Sequence, residues 1–121
     1  MKAKLDSINL VSDNPCELKD FYVDVLNFEL DEQRSHAPGF FLIKGGTGCN
    51  ILIQQNGNAQ TAPGNNGFEI GIEVDLFDQY FERLTQSGCQ IVADKQQMGW
   101  GKGAAVADPE GHIINIYEYR R

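Results

Sequence analysis

The chain has 121 residues, 41% of them hydrophobic, enough for one small core without disulfides or metals as staples. A formal net charge of −7 opposes nucleic acid and anionic membranes as partners, since both recruit proteins through clustered Lys and Arg, and only Arg120 and Arg121 form a basic pair. No apolar run is long enough to span a bilayer, the opening MKAKLDSINLVSD breaks its apolar residues with charge, and Cys16, Cys49 and Cys89 form no CxxC pair, so a cytoplasmic protein with free thiols is expected.

Taken in chain order, Ser7, Ile8, Asn9 and Leu10 alternate polar with apolar and predict a strand over about 4–11. Asn14, Pro15 and Glu17 then supply an N-cap, a first-turn proline and a capping-box acid. Leu18, Phe21, Tyr22, Val25 and Leu26 follow at helical spacing, so a helix is expected to run to about Asn27. Extended segments follow at about 28–33, 39–44 and 49–55, and the glycines of KGGTG (44–48) read as a hairpin connection, because the GK[ST] ending of a phosphate-binding loop is missing. The stretch 56–67 (NGNAQTAPGNNG) has no periodic apolar face and reads as a linker.

After it the plan recurs. A strand is expected at about 68–75 (FEIGIEVD), a helix at about 76–87 ended by Gly88, and strands near 90–94, 103–107 and 112–118. SINL returns as EIGIEV and NILIQ as INIYE, which suggests an internal duplication of a βαβββ unit: module one over 1–55, module two over 68–121, within a single domain. Asp108, Pro109, Glu110 and Gly111 are the residues of a type I turn, so the last two strands should form a hairpin.

Side chains alternate across a strand, which sorts each strand into two faces. One face is apolar: Ile8 and Leu10, Ile51 and Ile53, Ile70, Ile72 and Val74, Ile114 and Ile116, the set that two amphipathic helices must cover. The opposite face is mixed: Ser7 and Asn9; Asn50, Leu52 and Gln54; Glu69, Gly71 and Glu73; Ile113, Asn115 and Tyr117. Apolar residues among amides and carboxylates suit a ligand cleft, although an antiparallel sheet also tolerates a plainly solvated face.

The segments SINLVSDNPCELKDFYVDVLNFEL, GFEIGIEVD, GWG (99–101) and ADPEGHIINIYE together resemble the vicinal-oxygen-chelate proteins, the superfamily of glyoxalases, bleomycin-resistance proteins and extradiol dioxygenases. The resemblance covers nearly the whole chain in order. It implies an α+β fold of two βαβββ modules whose curved mixed sheet forms a cup around a small organic ligand, with helices on the outer face, often within a homodimer. In metal-using members four sheet positions hold the ion; by resemblance these are Ser7, Leu52, Glu69 and Asn115, all on the mixed face. Leucine cannot coordinate, and serine and asparagine are weak neutral donors, so no metal and no other cofactor is expected.

Glu69 is the sharpest candidate: as a partly desolvated carboxylate it can serve as a general base or hold a cationic ligand. Glu73 shares its face nearer the strand end. Trp100, between two glycines, matches a tryptophan that the family places near the cleft mouth, where it can stack on a planar ligand or simply pack. Phe40 and Phe41 must point to opposite faces, and the sequence leaves open which joins the core. His36, in the turn-like SHAPG, reads as a loop residue, and His112 as a structural residue of the hairpin. Cys16, in a first helical turn, has no nearby histidine and is not expected to be a nucleophile.

The expectation is metal-free binding of a small organic molecule, of the bleomycin-resistance kind. Glu69, Asn9, Asn115, Gln54 and Ser7 would orient the ligand while Trp100, Leu52 and Tyr117 pack against it, and the acidity favours an amine-bearing or cationic one. The alternatives are a glyoxalase-like lyase or isomerase, or a dioxygenase-type enzyme, either metal-free with Glu69 as base or metal-dependent, and an interaction module whose mixed face is a subunit contact.

Overall fold

A computed structural model describes residues 6–56 and 69–120; the expected linker lies almost wholly outside them, as do Phe68 and the first residues of the expected first strand. The chain divides into two compact units, Met1–Gly64 and Asn65–Arg121. The first contains β1 (Ser7–Ser12), α1 (Pro15–Asp20) with a π-helical continuation (Phe21–Val25), β2 (Glu29–His36), β3 (Phe40–Lys44) and β4 (Asn50–Gln55). The second contains β5 (Glu69–Glu73), α2 (Phe77–Ser87), β6 (Gln90–Met98), β7 (Gly101–Ala107) and β8 (Ile113–Tyr119). The fold is α+β, two βαβββ modules with one four-stranded mixed sheet each.

The strand orders are β1-β4-β3-β2 and β5-β8-β7-β6, with the first and last strands of each module parallel and the other pairs antiparallel. The registers repeat as well as the order. Ser7 opposes Asn50 as Glu69 opposes Ile113, Asn9 opposes Leu52 as Gly71 opposes Asn115, and Val11 opposes Gln54 as Glu73 opposes Tyr117. Because paired residues share a face, this equivalence fixes which side chains stand side by side on each mixed face.

The apolar parity set is where burial occurs. Leu10, Ile51, Ile53, Ile70, Ile72, Ile114 and Ile116 are all buried, joined by Leu18, Phe21, Tyr22 and Leu26 in the first module and by Phe77, Phe81 and Leu84 in the second. Full burial of each such side chain contributes about 1.5–3 kcal/mol, so these faces carry most of the driving force for folding. Phe41 enters the core and Phe40 stands on the mixed face, as the pairing of Phe41 with Ile53 and of Phe40 with Gln54 requires.

The helix starts are those expected. The Asn14 side chain accepts from the Glu17 amide at 3.3 Å and Pro15 opens the first turn; Gly88, at φ 77°, ends α2 in the left-handed conformation. The first helix is not α-helical to Asn27. It widens at Phe21, with the Leu26 amide reaching back to the Phe21 carbonyl at 3.0 Å, and this wider turn carries two adjacent aromatics, Phe21 and Tyr22, both buried and packed edge to face at 5.8 Å. At the start of α2 the cap comes from another element: the Phe77 amide donates to the Glu118 carboxylate of β8 at 3.0 Å.

Two strands, β2 and β6, run three or more residues past the ends that the alternation indicated. β2 extends to His36 through an irregularity in which Ser35 Oγ donates to the Asp31 carbonyl at 2.7 Å and accepts from the Leu42 amide at 3.0 Å, so a side chain stands in for a ladder partner. His36 is therefore a strand residue paired with Phe40, not a loop residue. β6 reaches Met98 although it is exposed throughout, an edge strand held by pairing with β7 alone.

Candidate functional site

On the mixed face of the second module, Glu73, Tyr117, Gly103 and Gln96 form one row across the four strands, with Gly71, Asn115, Ala105 and Ala93 in the next. The small residues make room for aromatic rings to lie against the sheet. A Cβ on Gly71 would meet Tyr117 Cε1 at 3.2 Å, and one on Gly103 would meet Trp100 Cη2 at 3.4 Å. Trp100, Tyr117 and Tyr119 pack edge to face, with centroids 6.4 Å apart for Trp100 and Tyr117, 5.9 Å for Trp100 and Tyr119, and 5.3 Å for Tyr117 and Tyr119. Trp100 and Tyr119 nevertheless remain 45% exposed.

The backbone holds this cluster in place. The Arg120 amide donates to the Trp100 carbonyl at 2.7 Å, and Gly101, at φ 153°, lets the chain pass where a Cβ would lie 2.1 Å from the Glu118 carbonyl oxygen. Burial first, then its neighbours Tyr119 and Glu73, push the Tyr117 hydroxyl above its usual range. Glu69 accepts from Asn115 Nδ2 at 2.7 Å; it is exposed rather than partly desolvated.

In the first module, Ser7, Asn9, Leu52 and Gln54 share the corresponding face, and Asn9 Nδ2 donates to Gln54 Oε1 at 3.3 Å. Asn50 turns to the β3–β4 connection instead, accepting from the Gly45 amide at 3.1 Å. His36, Phe40, Gln54 and Val11 form a row on this face, with the His36 and Phe40 rings 6.4 Å apart. The sequence reading missed His36 and Tyr119 as face residues. Tyr119 was within reach, two positions beyond Tyr117 in the same strand; His36 was not, because the irregularity in β2 breaks the parity count.

The four positions that the resemblance assigns to a metal do not fit one. Leu52 offers no donor, Ser7 and Asn115 offer only neutral oxygens, and the one carboxylate of the set, Glu69, already accepts from the Asn115 amide nitrogen at 2.7 Å. Among the described residues no group of three or more His, Cys, Asp or Glu is placed to hold an ion. His112 is buried in the β7–β8 turn, its Nδ1 2.7 Å from Asp108 Oδ2, while Asp108 Oδ1 accepts from the Glu110 and His112 amides, each at 2.9 Å.

A groove of about 280 Å³ lies at the β6 edge, lined by Phe77, Asp78, Lys95, Gln96, Gln97 and Lys102. The Lys102–Asp78 pair at 2.9 Å occupies it, and the Lys102 hydrogen bond and charge hold the Asp78 carboxyl below its usual range. No helix among the described residues is long and apolar enough to cross a membrane.

The fold and the geometry of its mixed faces define a class, and sequence comparison agrees: residues 4–116 match the Glyoxalase/Bleomycin resistance protein/Dioxygenase superfamily. The chain belongs to that superfamily. No protein of curated function matches it. Similar solved structures include TioX from Micromonospora sp. ML1, with 24% identity and a TM-score of 0.77, covering 98% of this chain and 100% of that one. TnmS3, an antibiotic binding protein from Streptomyces sp. CB03234, has 19% identity and a TM-score of 0.79 over 98% of both chains. A family enzyme from Burkholderia phytofirmans PsJN has 16% identity and a TM-score of 0.83, covering 98% of this chain and 100% of that one. At these identities the likeness establishes the fold.

Proposed function

We propose that this protein binds and sequesters a small organic molecule on its mixed sheet faces, without a metal and without transforming it. The observation that carries the reading is the Trp100–Tyr117–Tyr119 cluster, which leaves large apolar rings in solvent above a floor of glycine and alanine, with Glu73 and Asn115 beside it and Glu69 further along the same face. Rings so exposed cost solvation unless something covers them, and polar groups at their margin select orientation. Ser7, Asn9, Leu52 and Gln54 are proposed as the first module's contribution. The antibiotic binding by TnmS3 supports the reading as an instance on this fold.

Glu69 separates this reading from a metal-free lyase or isomerase. Its carboxylate accepts from Asn115, which can orient a base as well as a binding group. The test is to release small molecules from protein purified under native conditions, identify them by mass spectrometry, and measure binding and turnover by the wild type and Glu69→Gln. Stoichiometric recovery of an unchanged molecule that rebinds supports sequestration; turnover that collapses in Glu69→Gln while binding persists establishes the enzyme.

A further inference from the structure

We propose that the second module's mixed face selects a planar organic cation, its rings against Trp100 and Tyr117 and its positive charge towards Glu73; this rests on the binding reading above. Three features of the face converge on that class. The exposed cluster is built from electron-rich aromatics, whose ring faces attract cations. Its charged strand positions are carboxylates, Glu69 and Glu73 on β5, and none of the residues paired across that face in β5, β8, β7 and β6 is Lys or Arg. The lysine of β7 stands on the opposite face, where Lys102 pairs with Asp78 at 2.9 Å. An anionic ligand would meet like charge at Glu73 and find no cation among the paired residues of the face; Lys95 stands in the irregular stretch of β6 beyond them.

Distance sets the size of the ligand. Glu73, Tyr117 and Gly103 are neighbours in one row, so two strand spacings of roughly 4.8 Å put Glu73 about 10 Å from the glycine beneath Trp100. That length suits a two-ring heteroaromatic carrying a quaternary or protonated nitrogen at one end. Glu69 lies two rows further along β5, so Glu73 is the group that determines specificity and Glu69 adds a weaker, longer-range attraction. The sequence reading placed Glu69 first because Glu73 lies nearer the strand end.

Trp100 is the only tryptophan of the chain, so its indole N–H resonance reports this face alone. The probes are 1-methylquinolinium, quinoline and quinoline-2-carboxylate, titrated at pH 8 into the full chain and into Glu73→Gln, with a salt series on the wild type. The expected result is that the cation binds about tenfold more tightly than neutral quinoline and the carboxylate binds weakest. Glu73→Gln should cost the cation about fivefold and quinoline nothing, and salt should weaken only the cation. Equal affinity for the three probes, or a cation preference unchanged in both Glu73→Gln and high salt, overturns the charge selection and leaves the binding reading standing. No response of the Trp100 signal to any probe overturns the placement, while the co-purification experiment decides the binding reading on its own terms.

Discussion

Asp108 and His112 offer the sharpest test of how the β7–β8 hairpin is held. One oxygen of Asp108 accepts two backbone amides and the other lies 2.7 Å from His112 Nδ1, with both side chains almost fully buried. A carboxylate only accepts, so the imidazole donates from Nδ1. Asp108→Ala strips the acceptor from two amides and a ring nitrogen. At about 1.5–3 kcal/mol for each hydrogen bond to a charged group, and less than additively for neighbours, the loss is about 4 kcal/mol, a large share of the 5–15 kcal/mol that stabilises a typical domain. Asp108→Asn keeps an acceptor for both amides and offers an NH2 to Nδ1, which the imidazole accepts by changing tautomer, so the cost should be about 1–2 kcal/mol. Equilibrium urea unfolding followed by circular dichroism measures both. If the asparagine variant proves as unstable as the alanine variant, or both match the wild type, the carboxylate is not the centre of the turn as argued.

Three further outcomes are expected. Gly101→Ala should cost at least about 3 kcal/mol, because its Cβ would meet backbone at 2.1 Å, whereas Gly88→Ala, with open space around it and φ 77°, should cost only about 1 kcal/mol; comparable urea midpoints for the two would refute the steric account. Gly103→Ala, whose Cβ meets the far end of the Trp100 ring at 3.4 Å and the Ile116 carbonyl oxygen at an ordinary 3.8 Å, should shift the Trp100 indole resonance while changing stability by less than about 1 kcal/mol. Tyr80 is pushed up to about 12 by burial, so its contribution is intact below pH 10 and falls as pH rises towards 12, when the unfolded chain ionises first. Wild type should lose about 2–3 kcal/mol more than Tyr80→Phe across that window in urea unfolding; parallel pH profiles would show that the hydroxyl is not protected.

What the sequence made legible follows from period two. Ile8, Leu10, Ile51, Ile53 and their counterparts in β5 and β8 alternate cleanly, so the core face, the module plan and the mixed face could all be read before any coordinates. Parity failed where a strand is irregular or solvated. Ser35 fills a ladder position in β2 with its hydroxyl and carries the strand on to His36, and β6 runs beyond the expected 90–94 to Met98 as an exposed edge paired with β7. The choice between Phe40 and Phe41 needed register, because either parity looks plausible until Gln54 is known to be opposite Phe40. The capping of α2 by Glu118 joins residues far apart in the chain and leaves no local signal.

The repeated registers also explain how one frame carries two different surfaces. Phe40 opposes Gln54 in the first module where Gly103 opposes Tyr117 in the second, and Leu42 opposes Leu52 where Ala105 opposes Asn115. The first module thus builds bulk on its third strand and presents an amide on its fourth. The second empties its third strand and lets Tyr117 and Trp100 occupy the space above it. Charge divides in the same way: Ser7 and Val11 stand where Glu69 and Glu73 stand in the repeat. Neutral hydrogen bonding and aromatic, anionic attraction are therefore encoded on separate sheets, so exchanging Glu73 for Val, the residue at its counterpart, should remove most of the cation preference without disturbing the Asn9–Gln54 pair. Amide resonances of the first module that move on Glu73→Val as much as those of the second would contradict that separation.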